Sequence, residues 1–173
     1  PGVIERSDMR KRVVITGMGT INPVGNDVPT FWDSLIAGRS GARPITAYDA
    51  SDQAVRIAAE VKDFDPLAFL GAKQARRTDR FTQLVLFSAD QALADAGLSF
   101  GGNDHTDKVG IIIGTGIGGI GTLLDAYDTM RDRGPRRVSA LMIPMMMPNA
   151  AAGQIAIRYG IQGMSTSLAS ACA

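Results

Sequence analysis

The sequence predicts an α/β chain with a largely parallel sheet, because apolar runs of strand length alternate with segments of helical periodicity. Two segments carry most of that expectation. Within Lys73 to Ala96, the residues Phe81, Leu84, Val85, Ser88, Ala89, Ala92, Leu93 and Ala96 recur at three- and four-residue spacing, so they share one stripe of a helix, and Gly97 stands where a left-handed cap belongs. Lys108 to Gly114 (KVGIIIG) is Ile-rich and too short for a buried helix, so it reads as a central strand.

The remaining elements follow in chain order. Arg12 to Thr16 is a short β-branched run closed by Gly17 and Gly19, which predicts a buried strand and a tight turn. Asn22 to Asn26 is turn chemistry, and Pro23 keeps a helix from starting there. A helix suits Pro29 to Ala37, with Trp32, Leu35 and Ile36 on one face and Gly38 beyond its end. Arg56 to Val61 is a weaker strand, and Asp63 to Gly71 is expected to be irregular. Thr122 to Arg133 reads as a helix ended by Gly134 and Pro135, and about Asn149 to Tyr159 as another ended by Gly160. Thr166 to Ser170 looks extended and leads into Ala171, Cys172 and Ala173.

Composition narrows the function classes. The chain has 173 residues, with 18 Lys plus Arg against 17 Asp plus Glu, and this balance argues against a nucleic-acid module built on bulk positive charge. Its 45% hydrophobic and 20% charged residues suit a globular core rather than disorder. One Cys excludes an internal disulfide, and one Cys with one His cannot make a four-ligand zinc site. Pro144 interrupts the apolar stretch from Leu141 to Met147, and no run reaches spanning length. Residues 1–8 are polar and unlike a signal peptide, so a cytoplasmic protein is expected. Met9 makes a natural start, with residues 1–8 an expression remnant or upstream extension and residues 9–173 the folded unit.

Three groups of residues bear on chemistry. Gly114 to Gly119 fits G-x-G-x-x-G between a strand and a helix, yet the region about 20 residues on is the polar end of a helix and offers no acidic partner for a ribose. Close strand-to-helix packing is the plainer role of that turn. Cys172 stands among Ala169, Ser170, Ala171 and Ala173 at a strand end, where it is either a small core residue or a nucleophile presented by a turn. His105 lies in a polar loop and reads as solvated rather than as a catalytic base. Met142, Met145, Met146 and Met147 suit core packing or an adaptable acyl-chain wall better than a metal site. The basic sets Lys73, Arg76, Arg77, Arg80 and Arg131, Arg133, Arg136, Arg137 read as solvated helix ends or as a dock for an acidic partner.

Five motifs taken together resemble β-ketoacyl-acyl carrier protein synthase II. They are Arg12 to Gly25 (RVVITGMGTINPVG), Phe31 to Gly41 (FWDSLIAGRSG), Gly114 to Gly119 (GTGIGG), Gly134 to Arg137 (GPRR) and Ser170 to Cys172 (SAC), and they occur in the family's order. The likeness covers the N-terminal half of such an enzyme. It implies a thiolase-like fold, of which this chain is one half of a layered α-β-α-β-α core, and a homodimer. It also implies fatty-acid chain elongation by decarboxylative condensation, with no cofactor and no metal, on substrates delivered by acyl carrier protein.

By the same resemblance, Cys172 is the nucleophile and its backbone amide one donor to the thioester oxyanion. Ile117 falls where the family lines its acyl pocket, and Met142 falls where an aromatic gate is common. Lys73, Arg76 and Arg77 fall on the docking surface for the carrier protein. The two His that assist decarboxylation and an accompanying Lys have no counterpart in these residues, so the fragment alone is expected to be inactive. Two other readings stay open: a noncatalytic partner of the chain-length-factor kind, and a ketosynthase of the synthase I or polyketide type.

Overall fold

A computed structural model of the chain describes residues 12–100 and 105–171. Its centre is helix α3, Arg80–Asp95, with two-stranded sheets and five further helices placed around or beyond it. Asp79 caps α3 at its N-terminus through Phe81 N (3.1 Å). At the other end Gly97 takes φ +64°, and Leu98 N donates to Leu93 O, the Schellman closure expected of that glycine.

The most deeply buried residues of α3 are Thr82, Gln83 and Leu86, none of which the predicted apolar stripe includes. That stripe is half-buried, and its small residues serve a different contact. Residues 17–20 lie against it, held by Met18 N on Asp95 Oδ2 (2.9 Å) and Thr20 N on Gln91 Oε1 (3.3 Å). A Cβ on Gly19 would lie 2.7 Å from Ala92 N, so only glycine lets the two backbones come this close. The strand expected over Arg12 to Thr16 pairs with no strand among the described residues, and Val13 is 91% exposed. Glycine contacts anchor the run's far end, while its β-branched part has no sheet partner within the described chain.

Before α3 the chain makes α1 (Val28–Ile36), capped by Asp27 Oδ1 on Thr30 N, and an antiparallel pair, β1 (Ala42–Pro44) with β2 (Ile57–Ala59). The face of α1 carrying Trp32, Leu35 and Ile36 is exposed rather than packed. Glu60, just past β2, binds Thr46 N, Thr46 Oγ1, Ala47 N and the Lys62 ammonium, which closes this pair. Residues 63–71, expected to be irregular, instead begin α2, Pro66–Ala75. Asp65 caps it and Pro66 starts it, and the Ala, Leu, Lys and Gln residues that follow are good helix formers. The helix kinks at Gly71, which has φ +74°. Residues 76–79 break the helical run predicted from Lys73, with the Gln83 amide filling that break by donating to Ala75 O and Thr78 O.

The second half is a crossover unit. β3 (Ile111–Thr115) leads through a glycine-rich turn to α4 (Ile120–Arg133), a short α5 (Met142–Met146), α6 (Ala150–Tyr159) and β4 (Ser165–Ala169). β4 returns parallel to β3, with Ile111 opposite Ser165 and Thr115 opposite Ala169. Pro144 is tolerated inside α5 because it falls in the first turn, where backbone N–H groups have no intrahelical acceptor. Ala152 and Ile155 of α6 close one face of the β3–β4 pair onto Leu86, and Arg158 clamps α6 to α3 through both oxygens of Asp90 (2.7 and 3.1 Å). The opposite face is open: Ile112 is 66% and Leu168 60% exposed.

Among the described residues no helix is long and apolar enough to cross a membrane, and no group of three His, Cys, Asp or Glu side chains is arranged to hold a metal ion.

The contacts of Glu60 set a titration. The Lys62 ammonium foremost, with Thr46 and Ala47, holds its carboxyl down at about 2 against an ordinary 4.5. A carboxyl depressed on folding adds stability that is complete above 4.5 and is lost as pH falls toward about 2. Carboxyl NMR on the full-length protein should find the Glu60 midpoint near 2; a midpoint near 4.5 would contradict these contacts.

Candidate functional site

Parallel pairing brings two turns to one edge. Because β3 and β4 run the same way and end opposite each other at Thr115 and Ala169, the residues after each strand leave the sheet side by side. Ligands of open α/β sheets sit at that carboxyl edge. The first turn is Gly116 to Gly119, and the second is Ser170 and Ala171. Ala171 has φ +49°, a left-handed conformation that is rare for a residue with a side chain, so the backbone turns sharply just ahead of Cys172. Cys172 itself lies outside the described residues.

Four hydrogen bonds hold the glycine turn. Gly118 N donates to Thr115 Oγ1 (3.1 Å), Gly119 N donates to Met146 O (2.9 Å), and both Thr122 N (3.1 Å) and Thr122 Oγ1 (2.6 Å) donate to Asp79 Oδ2. Gly119 occupies the N-cap position of α4 yet has no side chain to cap with, so Asp79 does this from 43 residues away while its other oxygen caps α3. The position at the head of α4 that a pyrophosphate takes in a nucleotide fold is therefore filled by a carboxylate of the chain. This excludes the dinucleotide reading of the G-x-G-x-x-G match. Neither Asp79 nor Thr122 was singled out by sequence patterning. The signal that marks them is a glycine at a helix start with no local capping residue, together with an Asp directly ahead of the Arg80–Asp95 helix.

The other expected site residues fall in three places. Ile117 is the one side chain between Gly116 and Gly118 and is 63% exposed at the turn. Met142, half-buried, lines a cleft of about 250 Å³ with Met145, Thr122, Thr129, Arg76 and Arg137. The backbone bond from Gly119 to Met146 joins that short helix to the turn bearing Ile117. Lys73 and Arg77 border a different groove, about 660 Å³, whose apolar wall includes Leu70 and Ile157. The three basic residues expected to act as one surface are thus divided, with Arg76 turned toward the Met142 cleft. His105 is exposed before a short turn of 3-10 helix, as its polar loop implied.

The mixed α/β fold matches solved ketosynthases over about their N-terminal two-fifths. The family model for the β-ketoacyl synthase N-terminal domain matches residues 10–173, and the chain belongs to that family. It is 47% identical over 165 residues to 3-oxoacyl-(acyl-carrier-protein) synthase 2 of Synechocystis sp., a match that covers 95% of this chain and 39% of the relative. The chain thus spans about two-fifths of the length of the curated relatives it matches. Among solved structures, the ishigamide ketosynthase/chain length factor matches with a TM-score of 0.83 and 29% identity, over 95% of this chain and 41% of that one. A type II polyketide synthase acyl-carrier protein in complex with its hexaketide-bound ketosynthase matches with a TM-score of 0.68 and 25% identity, over 92% and 41%.

Packing at the turn generates a pair of substitutions with opposite outcomes. A Cβ on Gly119 would meet Met146 Cα at 2.7 Å and Asp79 Oδ2 at 2.9 Å, whereas one on Gly116 meets nothing within 4 Å. In denaturant unfolding of the full-length protein, Gly119→Ala should cost about 1–3 kcal/mol and Gly116→Ala less than about 0.5 kcal/mol.

Proposed function

We propose that this chain is the acyl-accepting part of a fatty-acid condensing enzyme of the synthase II type. The observation that carries the reading is the pairing of β3 with β4, which sets the left-handed Ala171, the residue before Cys172 in the sequence, at the same sheet edge as the glycine turn bearing Ile117. In this reading the Cys172 thiolate attacks the thioester carbonyl of an acyl carrier, the carrier thiol leaves, and the acyl group rests on sulfur. Malonyl-carrier then loses CO₂, its α-carbon attacks the Cys172 thioester, a carbon–carbon bond forms and the thiolate departs. Splitting the condensation this way is what a covalent nucleophile contributes. The backbone amide of Cys172 donates to the thioester oxyanion, while the acyl chain lies along Ile117 and the Met142 segment.

The finer assignments rest on the same family likeness. The thiolase-like α-β-α-β-α layering, the homodimer and the residue span 9–173 as half of that core are supported by apolar surface left uncovered here: Ile112 and Leu168 on the sheet, and Leu124 and Tyr127 on α4. A parallel sheet is ordinarily covered on both faces. Acyl carrier protein is the partner in this reading, supported by the exposed cations Lys73, Arg76 and Arg77 and by the carrier seen with the polyketide ketosynthase relative. A noncatalytic chain-length-factor role is disfavoured by the presence of Cys172.

Incubating the full-length protein with acyl-carrier protein and mapping peptides by mass spectrometry should find the acyl mass on Cys172. Cys172→Ala should abolish both the adduct and elongation; an elongating Cys172→Ala enzyme would overturn the proposal. Reversing charge at Lys73 and Arg77 should raise KM for the carrier about tenfold at low salt with little change in kcat. The 173-residue piece by itself should give no condensation product and should aggregate, since its sheet face is bare.

A further inference from the structure

One carboxylate does the capping of two helices, and the second of them carries the turn on which acyl contacts depend. We propose that Asp79 is a positioning residue for acyl-chain selection: by capping α4 from outside that helix, it fixes the turn that presents Ile117. This rests on the reading of Ile117 as a wall of the acyl site.

The geometry supports it at each step. Asp79 is 9% exposed and lies in the link between α2 and α3, where Thr78 Oγ1 donates to Gln74 O and the Gln83 amide donates to Ala75 O and Thr78 O. Its backbone is therefore fixed independently of α4. Its Oδ2 receives both the N–H and the hydroxyl of Thr122, and it presses on Gly119 so closely that no Cβ fits between them. Gly119 N also donates to Met146 O. The peptide from Gly118 to Ile120 is thus held between two fixed points, and Ile117 is the adjoining residue. With glycines at 116, 118 and 119 the backbone has no side-chain bulk to hold it, so these bonds decide where Ile117 stands. A merely structural cap would lower stability and leave acceptor preference unchanged.

The test uses the full-length protein with Thr122→Val, Thr122→Ser and Asp79→Asn. Thr122→Val removes the hydroxyl bond to Asp79 and leaves both backbone caps. Asp79→Asn keeps the shape but replaces one of the two acceptor oxygens with a donor. Elongation is measured on a short-chain and a long-chain acyl-carrier acceptor, giving kcat/KM for each and KM for malonyl-carrier. Thr122→Val is expected to change the long-to-short ratio of kcat/KM roughly fivefold, the factor that accompanies one net hydrogen bond. KM for malonyl-carrier should hold, and Thr122→Ser should restore the ratio. Asp79→Asn should move the ratio in the same direction and further; if it does not fold, Thr122→Val and Thr122→Ser still decide. A lowered melting temperature with an unchanged ratio in Thr122→Val would overturn the inference alone. A wild-type protein that elongates neither acceptor would overturn the proposed function with it.

Discussion

The register between β3 and β4 is the constraint on which the site depends. Five residues of each strand pair in parallel, and because side chains alternate across a strand, a slip of one residue would exchange the faces of β4. Ile111 and Ile113 would still meet α6, but Ser167 and Ala169 would trade places with Thr166 and Leu168. The end of β4 would also move by about 3.3 Å, carrying Ala171 away from the glycine turn. α6 prevents this by packing Ala152 and Ile155 against both Leu86 and the strands, and by gripping Asp90 of α3 with Arg158. The aromatic cluster of Phe64, Phe69 and Phe87 does the same for α2, with Phe69 and Phe87 edge to face at 5.1 Å.

Around that frame, small residues and distant caps replace what local sequence would ordinarily supply. Gly17 and Gly19 let the chain lie directly on α3, and Gly119 lets a carboxylate from outside α4 head that helix. Both devices trade side-chain bulk for close approach. The consequence for chemistry is a site edge made mostly of backbone, with Ile117 as the one large side chain in its first turn and Ala171 strained in its second.

Much of this was legible in the residues, for reasons that differ by element. The Lys108 to Gly114 run and the helices ending at Gly38, Gly97 and Gly160 were readable because local chemistry alone specifies them: Ile density in one case, left-handed glycines in the others. The Arg12 to Thr16 run is strand-like by composition, yet strand formation requires a partner, and composition does not say whether one is near. The start of α2 was missed because Asp65 and Pro66 form a cap signal followed by weakly periodic residues and a kinking glycine. α3 was found, but its most buried residues were not, since Thr82 and Gln83 are polar and their burial follows from what surrounds the helix. Asp79 escaped notice for the same reason: its partner Thr122 is 43 residues away, and no spacing rule reaches that far. The Cys172 assignment came from five ordered motifs rather than from the local pattern, which alone leaves a small core cysteine as the alternative.

In the proposed function, one acyl-binding edge is assembled from two turns that the chain order keeps far apart. The most direct test loads the full-length protein with an acyl group bearing a photoactivatable diazirine near its carbonyl end, then irradiates and maps the crosslinks. Adducts within residues 116–119 from a chain anchored at Cys172 are the result this arrangement predicts. Crosslinks confined to the bare sheet face at Ile112 and Leu168, with none in the glycine turn, would contradict it.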